Sequence, residues 1–217
     1  MIEISQDGAV HIITMTAEPN TVQPAFVTAM NDALDQSEAA GAGAIVLTGK
    51  GKTFNAGLDV EALMAMAPDQ LEAFGPGLMQ MLTRLLTGPI PTVAAINGHA
   101  FAAGAFLALA CDFRFMRDDR GWICISEVDV GVPVGKPLMT LLRRKVPTTT
   151  AAEAVLTGKR YNASDAIAAG FADVAAPQAD LLSLATARGA ELASKEKGIM
   201  ANLKKTLWED VAAALNA

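Results

Sequence analysis

Glu127 stands among apolar residues in the run Ile125-Ser126-Glu127-Val128-Asp129-Val130, with Gly131 and Pro133 just beyond. A lone carboxylate facing an apolar cavity is held near its protonation balance, because desolvation disfavours the charged form; a general acid/base needs that balance. The same residue also reads as an exposed glutamate at a strand end, and the local pattern leaves both readings open. Two glycine-bearing corners precede it. Phe54-Asn55-Ala56-Gly57-Leu58-Asp59 follows the run Ala44 to Thr48, Asn97 to Gly104 follows Thr92 to Ile96, and each leads into a helix-like pattern. Backbone N–H groups at strand-to-helix corners bind negative charge. A converging pair suits an oxyanion that develops on a carbonyl, and small or permissive residues let the chain approach it closely.

The other chemistry-bearing residues have plainer readings. Asp59 is placed to cap the helix beginning near Val60, and Asp112 is a structural acid at a helix-to-strand junction. His11 alternates within a strand, while His99 lies in the second corner, where it can shape a pocket. Two histidines and no Cys/His cluster argue against a metal site. Gly49-Lys50-Gly51 lacks the third glycine of a dinucleotide fingerprint, Gly131 to Lys136 is one residue short of a phosphate loop, and there is no Gly-x-Ser-x-Gly elbow. Met64, Met66, Met79 and Met81 suit an acyl-chain pocket and an irregular core equally.

The elements that must position these residues alternate. Ile2 to Ile4 and Val10 to Met15 read as strands joined at Asp7-Gly8. Pro24 to Glu38 reads as a helix with Phe26, Val27, Met30 and Leu34 inward, ended by Ala40 to Gly43. Pro68 to Pro76 reads as a mobile connection or a short helix, and Leu78 to Leu86 as a clear helix. Phe113 to Met116 and Trp122 to Ile125 read as strands about an exposed charged turn, Arg117 to Arg120. Ala151 to Leu156 and Ala163 to Ala169 are helical, and a last amphipathic helix aligns Ile199, Leu203, Leu207, Val211 and Leu215. This alternation indicates an α/β class with parallel pairing.

At 217 residues the chain suits one core, read here as a domain over 1–150 with a helical region over 151–217. It is 52% hydrophobic and 18% charged, which argues against disorder and for subunit contacts. A net charge of −6 without basic–aromatic stretches excludes a nucleic-acid footprint. Cys111 and Cys124 read as reduced buried thiols, which fits a cytoplasmic location, and neither end shows a targeting signal. Leu85 to Cys111 carries no charge, but Pro89, Pro91, Asn97, Gly98 and Gly104 interrupt it, so no membrane span is expected.

The run Thr48 to Asp59 resembles the first oxyanion-hole motif of the crotonase, or enoyl-CoA hydratase/isomerase, superfamily, and Ile96 to Gly104 resembles the second. The similarity continues through Ala108 to Asp112, Ser126 to Pro133 and Tyr161 to Asp173, covering nearly the whole chain. It implies a crotonase-like spiral of ββα repeats with a short C-terminal helical region for trimerisation and pocket cover. It also implies a homotrimer or dimer of trimers, acyl-CoA thioester substrates, and no cofactor beyond the coenzyme A of the substrate. Carried over by position, the oxyanion donors are the N–H groups of Leu58 and Ala103 and the proton carrier is Glu127. Substrate contacts fall on Val22, Ala56, Gly57, Asp59, Val60, Phe101, Gly104 and Phe106.

Family hydratases resemble one another in using two glutamates, and the first position is Phe106 here. One glutamate with an apolar residue opposite looks like the Δ3,Δ2-enoyl-CoA isomerases, and Arg117-Asp118-Asp119-Arg120-Gly121 with Ser126-Glu127 looks like plant-type members. The stretch Pro19 to Val22 lacks the basic loop of many relatives, which leaves Lys204 or Lys205 for the coenzyme A phosphates. The rival readings are a hydratase using Asp129 as its second acid and a catalytically silent acyl-CoA-binding oligomer.

Overall fold

A computed structural model describes residues 1–217. In chain order the elements are β1 (Ile2–Asp7), β2 (Val10–Met15), α1 (Pro24–Ala39), β3 (Ala44–Gly49), β4 (Thr53–Asn55), α2 (Val60–Met64) and α3 (Pro68–Thr87). Then come β5 (Thr92–Ile96), β6 (His99–Phe101), α4 (Ala103–Ala110), β7 (Phe113–Arg117), β8 (Ile123–Cys124), α5 (Glu127–Val130) and α6 (Lys136–Lys145). The chain ends with α7 (Thr148–Thr157), α8 (Ala163–Ala169), β9 (Val174–Ala176), α9 (Gln178–Ala193), α10 (Lys197–Leu207) and α11 (Glu209–Leu215).

Alternation along β3 and β5 explains the layering. Ile45, Leu47, Ala94 and Ile96 face the main core, while Val46, Val93 and Ala95 face a smaller cluster under α9. With both faces covered, the strands read as continuous apolar runs, as parallel strands do. They form a six-stranded sheet in the order β1-β2-β3-β5-β7-β9, antiparallel only at β1/β2. A second sheet of three short parallel strands, β4-β6-β8, lies beside it. Thus β3-β4-α2, β5-β6-α4 and β7-β8-α5 are three successive ββα turns, and the α/β spiral is as expected.

Several expectations are corrected. The corners follow the short strands β4 and β6, because a second strand is inserted after each long one. The hairpin loop is Gly8-Ala9, since Asp7 still pairs with Val10. The segment Pro68 to Pro76 continues into Leu78 to Leu86 as one 20-residue helix with Pro76 inside it. Pro76 and Glu72 are both exposed, so the carbonyl that loses its partner faces water. Arg117 is buried, not in an exposed turn; it donates to Asn97 O at 3.1 Å and pairs with Asp119 at 2.6 Å. Beyond residue 150, β9 pairs with β7 at the edge of the main sheet and α9 covers that sheet. The terminal amphipathic helix breaks at Trp208, leaving Val211 and Leu215 buried but Ile199, Leu203 and Leu207 exposed. The uncharged segment forms β5, β6 and α4, and no helix is long and apolar enough to cross a membrane.

Candidate active site

The short sheet brings the three candidate segments together, because β4, β6 and β8 run parallel and each is followed at its C-terminal end by one of them. The first corner is shaped by Asn55, fully buried, whose Oδ1 accepts the Gly57 N–H at 2.9 Å. Val22 clamps the same corner from outside: its N–H donates to Gly57 O at 2.8 Å, and the Asp59 N–H donates to Val22 O at 3.0 Å. Leu58 lies between these groups, and its own N–H donates to no group of the protein.

At the second corner Ala102 has φ 50° and ψ −121°, a conformation that costs an L-residue roughly 1–3 kcal/mol. The turn is held because the Ala102 N–H donates to Cys124 O at 2.9 Å. It aims the N–H of Ala103, the first residue of α4, away from any intrahelical acceptor, and that N–H too has no partner in the protein. The corners touch: a Cβ at Gly57 would stand 3.0 Å from Ala102 Cβ and 3.5 Å from Ala103 N. A Cβ at Gly104 would stand 2.2 Å from Asn55 O, so only glycine allows α4 to sit this close to β4.

Glu127 opens α5 as a buried residue, 8% exposed, and its Oε2 has no hydrogen-bond partner. Burial raises its pKa above the usual carboxylate value. It faces a cavity of about 310 Å³ lined also by Ala56, Leu58, Val60, Leu78, Ala102, Ala103, Ser126, Val130, Val132, Pro133, Val134 and Leu138. Glu127 is the one charged residue on that wall. Two unused N–H groups opposite a desolvated carboxylate can polarise a carbonyl and move a proton beside it.

The profile described as enoyl-CoA hydratase/isomerase matches residues 5–217. The chain belongs to the enoyl-CoA hydratase/isomerase family. Enoyl-CoA delta isomerase 3 of Arabidopsis thaliana is 31% identical over 222 residues, covering 97% of this chain and 93% of the relative. The apo structure of an enoyl-CoA isomerase from Mycobacterium tuberculosis superposes with a TM-score of 0.92 at 26% identity, over 99% of this chain and 93% of that one. An enoyl-CoA hydratase structure from Mycobacterium marinum gives 0.92 at 26% identity, over 99% and 94%. Both activity names therefore occur among similar proteins of this enoyl-CoA hydratase/isomerase family.

Of the expected site residues, Ala56, Leu58, Val60, Ala103 and Glu127 line the cavity. Val22, Gly57 and Gly104 build its walls from behind, and Asp59 caps α2 by accepting the Ala62 N–H at 3.0 Å and the Thr21 hydroxyl at 3.0 Å. Phe101 is not among the lining residues; its ring packs against His99 with centroids 5.2 Å apart. His99 faces away from this pocket, into a cleft with Asp118, Arg120 and Trp122. Phe106 is fully buried in the main cluster and is not among the residues lining the cavity.

Lys204 is not a phosphate ligand either. It is 4% exposed and donates to Leu85 O, Ile90 O and Asp112 Oδ2, the last at 2.7 Å. None of the four methionines lines the cavity; Met81 is core and Met64 is exposed. Leu78, inward on its helix in the sequence pattern, does line the cavity, whereas sequence reasoning missed Ala102 and the Val130, Val132, Val134, Leu138 wall. The signal for that wall was an apolar run inside a Gly/Pro loop, where solvated residues are the norm.

Proposed function

We propose that this chain is a Δ3,Δ2-enoyl-CoA isomerase in which Glu127 carries the proton. The thioester oxygen sits between the N–H groups of Leu58 and Ala103. Glu127 takes a proton from C2, electrons pass through a dienolate whose charge rests on that oxygen, and the same carboxyl returns a proton to C4 on the same side. The donors act on charge that is larger in the dienolate than in the ground state, so they accelerate the step and do not merely bind substrate.

The observation that carries this reading is the presence of one carboxylate on an otherwise uncharged wall. Adding water to a double bond calls for a second group to hold and activate the water. The residue that the resemblance aligns with the hydratases' first glutamate is Phe106, which can neither hold nor activate water and lies in the core, off the cavity wall. Asp129, the other nearby acid, points to Gly158, where a Cβ would stand 2.5 Å from its Oδ2. The buried, unpaired Cys111 and Cys124 support a reducing cytoplasm as its location, and the exposed apolar row on α10 supports assembly into a homotrimer or a dimer of trimers.

The test is incubation with a 3-enoyl-CoA in deuterated water. The conjugated 2-enoyl product and solvent label are expected, and Glu127→Gln should slow isomerisation by about 10²- to 10⁴-fold while saturated acyl-CoA still binds. Efficient hydration of a 2-enoyl-CoA by the unaltered protein, or an undiminished rate in the variant, would overturn the assignment.

A further inference from the structure

Asn55 is an amide in a place that water does not reach. It ends β4 at 0% exposure, directly after Phe54, which is also fully buried. Thr53 pairs with His99 and Asn55 with Ala100, so a two-residue step on β4 spans a one-residue step on β6, and such a bulge re-aims the side chain. The amide then serves two directions. Oδ1 accepts the Gly57 N–H at 2.9 Å, closing the turn that asparagine makes with the backbone two residues on, while Nδ2 donates to Met15 Sδ at 3.8 Å, a weak acceptor on the long sheet. Gly104 presses on the same residue from the other corner: a Cβ there would stand 2.2 Å from Asn55 O and 2.8 Å from Asn55 Oδ1.

We propose that Asn55 is a positioning residue that fixes the aim and separation of the two donor N–H groups, those of Leu58 and Ala103. The inference rests on reading these groups as an oxyanion hole. Each donor adjoins a glycine in contact with Asn55, Leu58 after Gly57 and Ala103 before Gly104. Gly57, at φ 94°, has no Cβ to restrict its torsions, so its neighbours must hold them. The Val22 N–H fixes the carbonyl of the peptide that carries the Leu58 N–H, and Asn55 fixes the N–H of the peptide before it, so the turn about Gly57 is set from both ends. Without the amide oxygen the Gly57 N–H loses its acceptor, and the Leu58 N–H can turn away from its Ala103 counterpart. Asn55 is not on the cavity wall, so it acts through the donors alone.

Asn55→Ala deletes the acceptor, and Asn55→Ser restores a weaker one, since a serine hydroxyl closes the same turn. Misaimed donors weaken the transition state more than binding, so Asn55→Ala should lower kcat for a 3-enoyl-CoA about 10- to 100-fold and change KM less than about threefold. Asn55→Ser should fall between the two. Vibrational difference spectra of a saturated acyl-CoA, isotopically labelled at its carbonyl, read the hole without turnover. In the parent the bound carbonyl band should lie below its solution frequency; Asn55→Ala should lose most of that shift, and Asn55→Ser should regain part of it. This pattern supports the inference even if the unaltered protein isomerises nothing. A parent band at its solution frequency would overturn the oxyanion-hole reading and this inference together. The parent's band and kcat in Asn55→Ala, or in Asn55→Ser where it alone folds, would overturn this inference and leave that reading standing. So would a lowered melting temperature with the parent's band, the sign of a role in folding alone.

Discussion

Glu127 carries two consequences of one physical fact, that its carboxyl is buried and its Oε2 unpaired. As the proposed base it must be ionised, so kcat/KM should rise with pH through a value above the ordinary carboxylate range of about 4. Its effect on stability has the opposite sense. With the folded pKa raised, the native state keeps a proton that the unfolded chain has released; the contribution is complete below the unfolded pKa and is lost as pH rises through the folded one. Glu127→Gln, uncharged at any pH, escapes that loss. Its melting temperature relative to the parent should therefore grow more favourable from about pH 4 upward and level off above the raised pKa, as calorimetry at a series of pH values would read. A constant difference across that range would mean that the carboxyl is solvated, and a solvated carboxyl is a poor candidate for the shuttle. Residue type alone could not choose between this buried acid and an exposed one, because Val128 and Asp129 beside it are both exposed and the residues that share its cavity, such as Leu58, Leu78 and Ala103, lie far away in sequence.

At the scale of elements, Lys204 shows how a helix far along the chain secures the spiral. From α10 its ammonium reaches two carbonyls, at Leu85 near the end of α3 and at Ile90 just beyond, and the carboxylate of Asp112, which in turn accepts from Thr92 N at 2.8 Å. Removing one partner of a buried pair strands the other, at a cost of about 3–5 kcal/mol. Lys204→Met should accordingly lower the unfolding free energy in denaturant by about that amount, while acyl-CoA affinity of the folded protein stays unchanged, since this ammonium has no free bond for a phosphate. The sequence placed this lysine on an amphipathic helix but could not place its tip, because the partners lie 92 to 119 residues away. The long strands, α1 and the paired corners were legible from periodicity and glycine positions, which are local. The three-residue strands β4 and β6 were not, since a strand that short carries too few alternations to register. β9, just Val174-Ala175-Ala176, was invisible for the same reason, and with it the fact that the main sheet closes on residues beyond 151.

For the whole molecule, α10 carries a regular row of large aliphatic side chains left in water, in addition to exposed ones on other elements. Ile199, Leu203 and Leu207 recur at every fourth position with 60, 59 and 57% of their surface exposed. Val211 and Leu215 continue the same spacing into α11 and are buried, so one apolar stripe is half covered by this chain and half bare. Fully burying such a side chain is worth about 1.5–3 kcal/mol, and each of the three still has roughly half of that to gain. A contact repeated around a closed ring multiplies the gain by the number of subunits, and symmetry lets one row serve every interface. The net charge of −6 opposes association at long range, so added salt should favour the assembly. Analytical ultracentrifugation at micromolar concentration should give a mass of three or six chains, and Leu203→Glu, which places a charge in the middle of the bare row, should shift it toward one. Because Leu203 is more than half exposed, this substitution should leave the folded monomer intact by circular dichroism, which separates lost assembly from lost fold. A monomeric parent with full isomerase activity would show that the row serves something other than self-association.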